Sequence, residues 1–552
     1  MPLPTGRVEW PPPAVRPALK AYDTWGAWYS GDPDALGRVY AATAATAMPG
    51  LDLKPTPAGG VFTSMRQAAA RWFWGSSPLS NTVRQHKLHV PLAADIAQTS
   101  ADLLFGEPPQ FSFSDDTAAG DDPLVQQLGD IIDGSGAHSV WLEAAELAAA
   151  YGGAYLRVGW DPTIADHPLQ DVIPPDAAVP EFRGGVLTAV TFWRDLDRPD
   201  SRHWRHLERH EPGRVLHGLY ASTDEALLGQ RLPLEEHDAT APFAMLVDAR
   251  DKESVVTGAT GLAVQYLPNM RPNRGALRGQ PIGRSDYAGV EPILDALDEA
   301  WTSWMRDLRL GKGRLVVPRS YLQSMGRGGG ALFDPEREVY ESVDALTAPD
   351  ANSLAIHNVQ FQIRVDEHQR TTAALLGQAV RGCGYSVQSF GEADRVTSGH
   401  GAATATEVVS RDQASTRTRG RKIGYARQPM ARNALTLLQV NAYWFKGKEP
   451  PKVPPRAIWP DRVAPDPETQ ARTLQLLLAA EAASTRTRVR ILNPDWSDAD
   501  IDREVIEIKA EVGAAHVPQP GQTLPGDPNA DPFGNNNPAD GQQPAAVSNG
   551  GA

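Results

Sequence analysis

The chain has 552 residues, 41% of them apolar and 22% charged, a formal net charge of -14 and a single cysteine, Cys383. That length exceeds what one hydrophobic core can serve, so roughly two to four domains are expected. The acid excess argues against a protein that coats nucleic acid through a broad basic surface, and one cysteine excludes an intrachain disulfide or a Cys-based zinc cluster.

The first sixty residues are rich in Pro, Ala and Gly, with a helix expected over 34–47, and Arg71-Trp-Phe-Trp74 forms an aromatic knot. The Met-Pro-Leu-Pro-Thr-Gly-Arg start has no signal-peptide h-region, and no apolar run approaches the ~20 residues that span a bilayer. The protein is therefore expected to stay in the reducing cytoplasm that made it. A helix is expected over 91–105, although Leu92, Ile96, Leu103 and Leu104 make no clean stripe; Gly106-Glu-Pro-Pro109 stops it. Further helices are expected over 122–132 and 139–151, the latter ended by Gly152-Gly153 and followed by a strand over 154–160. Between 180 and 270 the pattern turns to short β segments, including a hairpin of 204–211 and 214–220 across Pro212-Gly213.

The segment 289–310 carries Val290, Ile293, Leu294, Leu297, Trp301, Trp304, Met305 and Leu308 three and four residues apart, one apolar stripe on a helix roughly 30 Å long. Asp295, Asp298, Glu299, Arg306 and Arg309 take the opposite face. A β-type segment, Arg314-Leu-Val-Val-Pro318, follows directly. Short strands are expected near 339–340 and over 361–365, and a second helix over 366–380 ends at Gly382-Cys-Gly384. Two helices thus bracket a small β-rich insertion, a return that lays them side by side. Residues 385–403 read as a polar loop. A third helix is expected over 405–445, bent near Pro429. A proline-rich linker at 450–467 leads to helices over 468–483 and 498–510, the second with a capping-box signal in Ser497-Asp-Ala-Asp500. From 513 onward the chain is Pro, Gly, Asn, Gln and Ala without Lys or Arg, and is expected to be disordered.

The motifs with chemical promise are weak. Gly311-Lys-Gly313 and Gly326-Arg-Gly-Gly-Gly330 do not fit a phosphate loop and read as a turn and a loop. His203, His206, His210 and His217 read as solvated side chains on a half-exposed hairpin, with a zinc site the lesser alternative. The pairs Asp115-Asp116 and Asp121-Asp122 read as a solvated loop in preference to nuclease metal ligands. From 407 to 432 there are seven basic residues (Arg411, Arg417, Arg419, Arg421, Lys422, Arg427 and Arg432) against Glu407 and Asp412. They face either DNA phosphates or the acidic residues of a neighbouring subunit, and the acid surplus elsewhere favours the second. Cys383 reads as a small buried residue behind a helix C-terminus. No catalytic, cofactor-binding or metal-binding residues are assigned.

In its order of elements the chain resembles a portal protein of a long-tailed double-stranded DNA bacteriophage. The resemblance rests on Val90-Pro-Leu-Ala-Ala-Asp-Ile-Ala97 with Leu104-Phe-Gly-Glu-Pro-Pro109, on Ala149-Ala-Tyr-Gly-Gly-Ala-Tyr-Leu156, and on Gly283-Arg-Ser-Asp-Tyr287 before the rod. Lys312-Gly-Arg-Leu-Val-Val-Pro318 and Ala405-Thr-Glu-Val408 complete it, over roughly residues 85–510. It implies an α+β portal fold with wing, stem helices, β-rich clip, long kinked helix and helical crown, assembled as a ring of usually twelve subunits. By position, 1–286 would be wing, 287–312 the first stem helix, 313–365 the clip, 366–384 the second stem helix and 385–403 the tunnel loop. The long helix and wing return would take 404–463, the crown 464–512 and the tail 513–552.

The implied work is passive: a virion channel for packaging and ejecting double-stranded DNA without sequence specificity, docking the terminase large subunit and a head-completion adaptor, and set among major capsid and scaffold proteins. No membrane and no cofactor enter. Sparse basic charge suits such a channel, because dense lysine and arginine would hold the phosphates. Gln388, Ser389, Arg395, Thr397 and Ser398 are the candidate tunnel contacts, and Leu297, Trp301, Trp304 and Leu308 the candidate stem packing. The competing readings are an enzyme (a metal-dependent nuclease or the packaging ATPase) and another minor head protein.

Overall fold

A computed structural model describes residues 3–47 (except 5 and 7), 87–113, 122–310 (except 199, 249–252 and 275–278), 363–390, 413–460 (except 446) and 467–515 (except 481 and 494–497). Between 310 and 363 it describes only four short strands. The aromatic knot at 71–74, both glycine-rich motifs, Asp115, Asp116 and Asp121, the expected strand near 339–340, Ser497, Ala405-Thr-Glu-Val408 and Arg411 lie outside the described residues. The chain divides into two compact units, Met1–Asp461 and Arg462–Ala552.

The first unit mixes helix and sheet, as the α+β expectation requires. It opens with α1 (Arg16–Ser30), which the sequence reading missed, and α2 (Pro33–Ala47). Helix α3 (Leu92–Phe105) buries Leu92/Ala93, Ile96/Ala97, Ser100/Ala101 and Leu104/Phe105. That is a clean stripe once alanine and serine are counted with the large apolar residues. The small side chains are there because α5 (Ala137–Tyr151) packs on α3 through its own buried alanines, Ala144, Ala145, Ala148 and Ala149. Between them in sequence run β1 (Gln110–Ser112) and α4 (Pro123–Ser135), whose N-cap Asp122 accepts the Leu124 amide at 2.8 Å.

Past Tyr151 the chain enters β2 (Gly153–Gly159) and β3 (Leu169–Ile173), which make an antiparallel three-stranded sheet with β10 (Val264–Pro268) in the order β10-β2-β3. The second sheet is antiparallel, running through β4 (Ala178–Arg183), β5 (Val186–Leu196), β6 (His203–Glu211), β7 (Arg214–Ser222) and β8 (Gln230–Leu232). β9 (Ser254–Val256) also pairs with β7, and a single-turn helix, α6 (Ala241–Ala244), precedes it. The expected hairpin is β6 and β7, with His210 opposite Val215. Its histidines are a correction: His206, His210 and His217 are buried, because a second layer covers the face that the sequence left open to water.

Helix α7 (Glu291–Leu310) and helix α8 (Val365–Cys383) pack against each other and bracket β11 (Arg314–Val316), β12 (Gln323–Ser324), β13 (Ala331–Leu332) and β14 (His357–Val359). β11 pairs with β14 antiparallel, and β12 with β13. Of the strand expected over 361–365, residues 361 and 362 lie outside the described residues and Val365 already opens α8; the described strand before it is His357–Val359. Helix α9 (Gln413–Trp444) contains Pro429. The linker at 450–467 is not structureless: β15 (Arg456–Ile458) pairs with β1, Phe111 opposite Ala457.

Among its described residues the second unit holds α10 (Pro467–Ala479), α11 (Thr485–Leu492) and α12 (Asp498–Ala515), three helices where two were expected. Ser484 caps α11 by accepting the Thr487 amide at 3.2 Å, and Val489, Ile501 and Val505 form a small core. Helix α12 runs on to Ala515, past the position where the sequence reading ends the folded chain.

Candidate functional site

The geometry of interest is the pair α7/α8 and the junction at its base. The two helices are antiparallel: Asp307 accepts His368 Nε2 at 2.9 Å and Arg364 at 2.9 Å at one end, and a Cβ on Gly382 would meet Val290 at 3.0 Å at the other. Leu297 is buried in the core, and Trp301 packs partly buried against it. Trp301 stacks on Trp304 (centroids 5.0 Å apart), and Trp304 stacks on His368 of α8 at 5.9 Å. Leu308 is 39% exposed. Three of the four residues expected to pack the rods thus meet one another or the core, and the fourth faces outward near the end of α7.

Asp298 is a further correction. It was placed on the charged face, yet it is 1% exposed and accepts the Val90 amide at 2.8 Å and the Tyr40 hydroxyl at 2.7 Å. The spacing held the clue, because 294, 298 and 301 share a helical face. An acid on an apolar stripe needs partners, and this one docks the chain before α3 onto α7.

At the base of the rods, two of the sequence motifs meet. Gly152 ends α5 with φ +91°, and a Cβ on Gly283 would lie 2.1 Å from the Gly152 carbonyl oxygen, so the backbones touch where side chains cannot fit. Asp286 donates its amide to Ala149 O (2.9 Å), and Ser285 Oγ donates to the same oxygen (3.1 Å). The Asp286 carboxylate is fully buried and accepts Lys422 Nζ at 2.6 Å, the Tyr385 hydroxyl at 2.7 Å and Asn269 Nδ2 at 2.8 Å. Lys422 Nζ also donates to Ser100 Oγ at 2.5 Å. Five segments are tied by one buried ion pair: α3, the end of β10, the entry to α7, the exit from α8 and α9. Burial pushes the Lys422 ammonium down, with Asp286 opposing, and the same burial pushes Tyr385 and the Cys383 thiol up.

Sequence reasoning had Lys422 in a basic run facing either DNA phosphates or, in preference, the acidic residues of a neighbouring subunit. In the structure Lys422 lies on a buried face with Ser415, Thr418, Ala426 and Met430, spaced three and four apart, and serves its own chain. Arg419 likewise donates to Leu103 O at 2.7 Å and Pro460 O at 2.8 Å.

Gln388 and Ser389 lie in a 3-10 turn, Val387–Phe390, directly after Tyr385. Ser389 Oγ bonds Ser415 Oγ at 2.8 Å, and Thr418 Oγ1 donates to Gly384 O at 2.6 Å, so the turn is strapped to α9. A cavity of about 360 Å³ beside Ser389 is lined by Asp95 and Asp102, carboxylates that repel a phosphate backbone. Arg395, Thr397 and Ser398 lie outside the described residues. Among the described residues no group of three His, Cys, Asp or Glu side chains has the geometry to hold a metal ion, and no helix is long and apolar enough to cross a membrane.

The sequence matches the family described as phage portal protein, SPP1 Gp6-like, over residues 80–513. No characterised protein matches it by sequence. Among solved structures it is similar to a chain from the neck of an empty GTA particle computed with C6 symmetry, at 12% identity and a TM-score of 0.40, covering 76% of this chain and 94% of that one. It is also similar to a chain from the virion of a native gene transfer agent particle, at 12% identity and a TM-score of 0.37, covering 83% and 98%.

Proposed function

The chain belongs to the SPP1 Gp6-like family of phage portal proteins, the structural head–tail connectors of phage particles, and we propose that it does this work as a closed ring of identical subunits, twelve in number. In this reading α7 and α8 are the stem, lining or backing the DNA passage, and 313–365 is the clip that docks the terminase large subunit and later the head-completion adaptor. Residues 1–286 and 404–463 are the wing set among capsid and scaffold proteins, 385–403 the tunnel loop and 464–512 the crown. The ring sits at one vertex of the virion capsid, assembled in the host cytoplasm.

The observation that carries the reading is the antiparallel α7/α8 pair, aromatic along its contact and rooted through Asp286 and Lys422. A rod that transmits load between a motor and a capsid must not pivot at its base. Fastening both rod ends to α3 and α9 through one buried, multiply hydrogen-bonded ion pair resists such pivoting. Ring closure requires heterologous contacts between copies, and the flank of the α7/α8 pair not spent on its own core is the surface for them. DNA passes such a wall without being gripped when phosphate contacts are few, and the terminase supplies ATP hydrolysis.

The test is electron microscopy and mass measurement of the purified full chain. Rings with an axial opening, at a multiple of the 59.6 kDa chain mass, are expected. Monomers alone at high concentration would overturn the ring, and twofold dimers without an opening would overturn the channel.

A further inference from the structure

Each rod keeps a face that its own chain does not use. On α8, His368, Thr372 and Ala379 turn toward α7 and the core, and the opposite face carries Glu367, Arg370, Ala374 and Arg381, all exposed. On α7, Val290, Leu297, Trp301 and Trp304 turn toward α8 and the core, and the opposite face carries Pro292, Glu299, Ser303 and Arg306. The two free faces therefore lie on opposite sides of the pair. Among the described residues, Arg306, Glu367, Arg370 and Arg381 form no ion pair.

The charges on these faces are complementary level by level. Val290 stands level with Gly382 and Trp304 with His368, fourteen residues apart on each rod, so the two helices run in step. Arg370 is then level with Thr302, Glu367 with Met305 and Arg381 with Glu291. A rotation about a ring axis parallel to the rods changes no level, so the same correspondence holds between α8 of one copy and α7 of the next. Glu299 lies three residues, about 4.5 Å, from the level of Arg370, and Arg306 one residue, about 1.5 Å, from that of Glu367. Within its own chain Glu299 is 64% exposed and shares Lys87 with Asp295, whose carboxylate is the nearer at 2.6 Å against 3.5 Å. One ammonium serves two acids there, and negative charge is left over.

We propose that the free face of α8 docks on the free face of α7 in a second copy of this chain, with Arg370 paired to that copy's Glu299 and Glu367 to its Arg306. This rests on the ring reading and adds to it the contact surface and its register. Because the faces lie on opposite sides of the rod pair, each copy offers one to either neighbour, the heterologous arrangement that a closed ring needs. Ala374, between Arg370 and Arg381, leaves room for the neighbouring helix to approach. A slip of about two turns would set Arg370 against Arg306, and that repulsion fixes the register. Duplex DNA is the poorer occupant of the α8 face, because Glu367 interrupts its positive charge.

Charge reversal and rescue in the full chain test the contact, with rings counted by mass photometry and negative-stain microscopy at one fixed protein concentration. Arg370→Glu sets like charges together at every interface and has no ion pair to lose in its own chain. Its ring population should fall at least about tenfold while the unfolding midpoint stays at the native value. Glu299→Arg should fall likewise, although it also gives up Lys87. Arg370→Glu combined with Glu299→Arg restores the pair with its polarity exchanged, and rings should return to within about twofold of the native chain. Undiminished rings in Arg370→Glu, or a double variant no better than the single ones, overturn this contact and leave the ring standing. A native chain that forms no ring overturns both.

Discussion

Lys422→Met tests whether the rods are rooted by charge. Asp286 is 1% exposed and Lys422 4% exposed, so removing the ammonium leaves a carboxylate in the core with the neutral donors of Tyr385 and Asn269. Breaking one side of a buried pair costs about 3–5 kcal/mol. Converting both partners, as Lys422→Met with Asp286→Asn, removes the stranded charge and keeps hydrogen-bonding groups toward Asn269 and Tyr385. The double variant should recover all but about 1–2 kcal/mol, giving a coupling energy of at least about 2 kcal/mol in the mutant cycle. Urea unfolding followed by tryptophan fluorescence measures it, because Trp25, Trp28 and Trp141 are buried in this unit. The reasoning fails if Lys422→Met alone costs less than about 1 kcal/mol, or if the double variant is no more stable than the single.

Three further outcomes follow from the same geometry. Gly283→Ala, whose new Cβ would lie 2.1 Å from a backbone oxygen, should cost about 3 kcal/mol or more, read as a lowered unfolding midpoint; a wild-type midpoint refutes the close approach. Trp304→Ala removes both its stack on Trp301 and its stack on His368, so rings should become fewer or less stable by mass photometry while the chain stays folded; an undiminished ring population would place the rods elsewhere. The stacked rings of His206 and His217 lie against Phe243, and burial first, with neighbouring cationic groups after it, holds both pKa values down at about 4. The unfolded chain takes up these protons from about pH 6.5 downward while the folded rings stay neutral. Their contribution is thus intact above pH 6.5 and is lost on acidification toward pH 4, at roughly 3 kcal/mol per ring. A native chain whose stability is flat from pH 7 to 4.5, or variants at these two positions that keep the native acid slope, would contradict that sign.

The rods, the hairpin, the α5–β2 junction and the α8 end at Gly384 were legible in the sequence, because each depends on a local period or a local stop signal. Apolar residues three and four apart make a helix stripe wherever the helix sits, and Gly384, with φ +88°, ends α8 by its own backbone freedom. Helix α1 was hidden by its flanking prolines, and β15 by the prolines around it, since a three-residue strand has meaning only through its partner β1. The position of a polar residue on an apolar face was visible for Asp298 and Lys422 but was read as surface, because charge alone carries no information about what lies opposite. Only the tertiary structure brought Gly152 against Gly283 and Asp286 against Lys422, residues more than a hundred positions apart in each case. It likewise closed a second layer over the histidine face of β6. Period and turn chemistry act within a few residues and can be read from one chain; burial and pairing of polar groups depend on long-range packing, which no short stretch of sequence encodes.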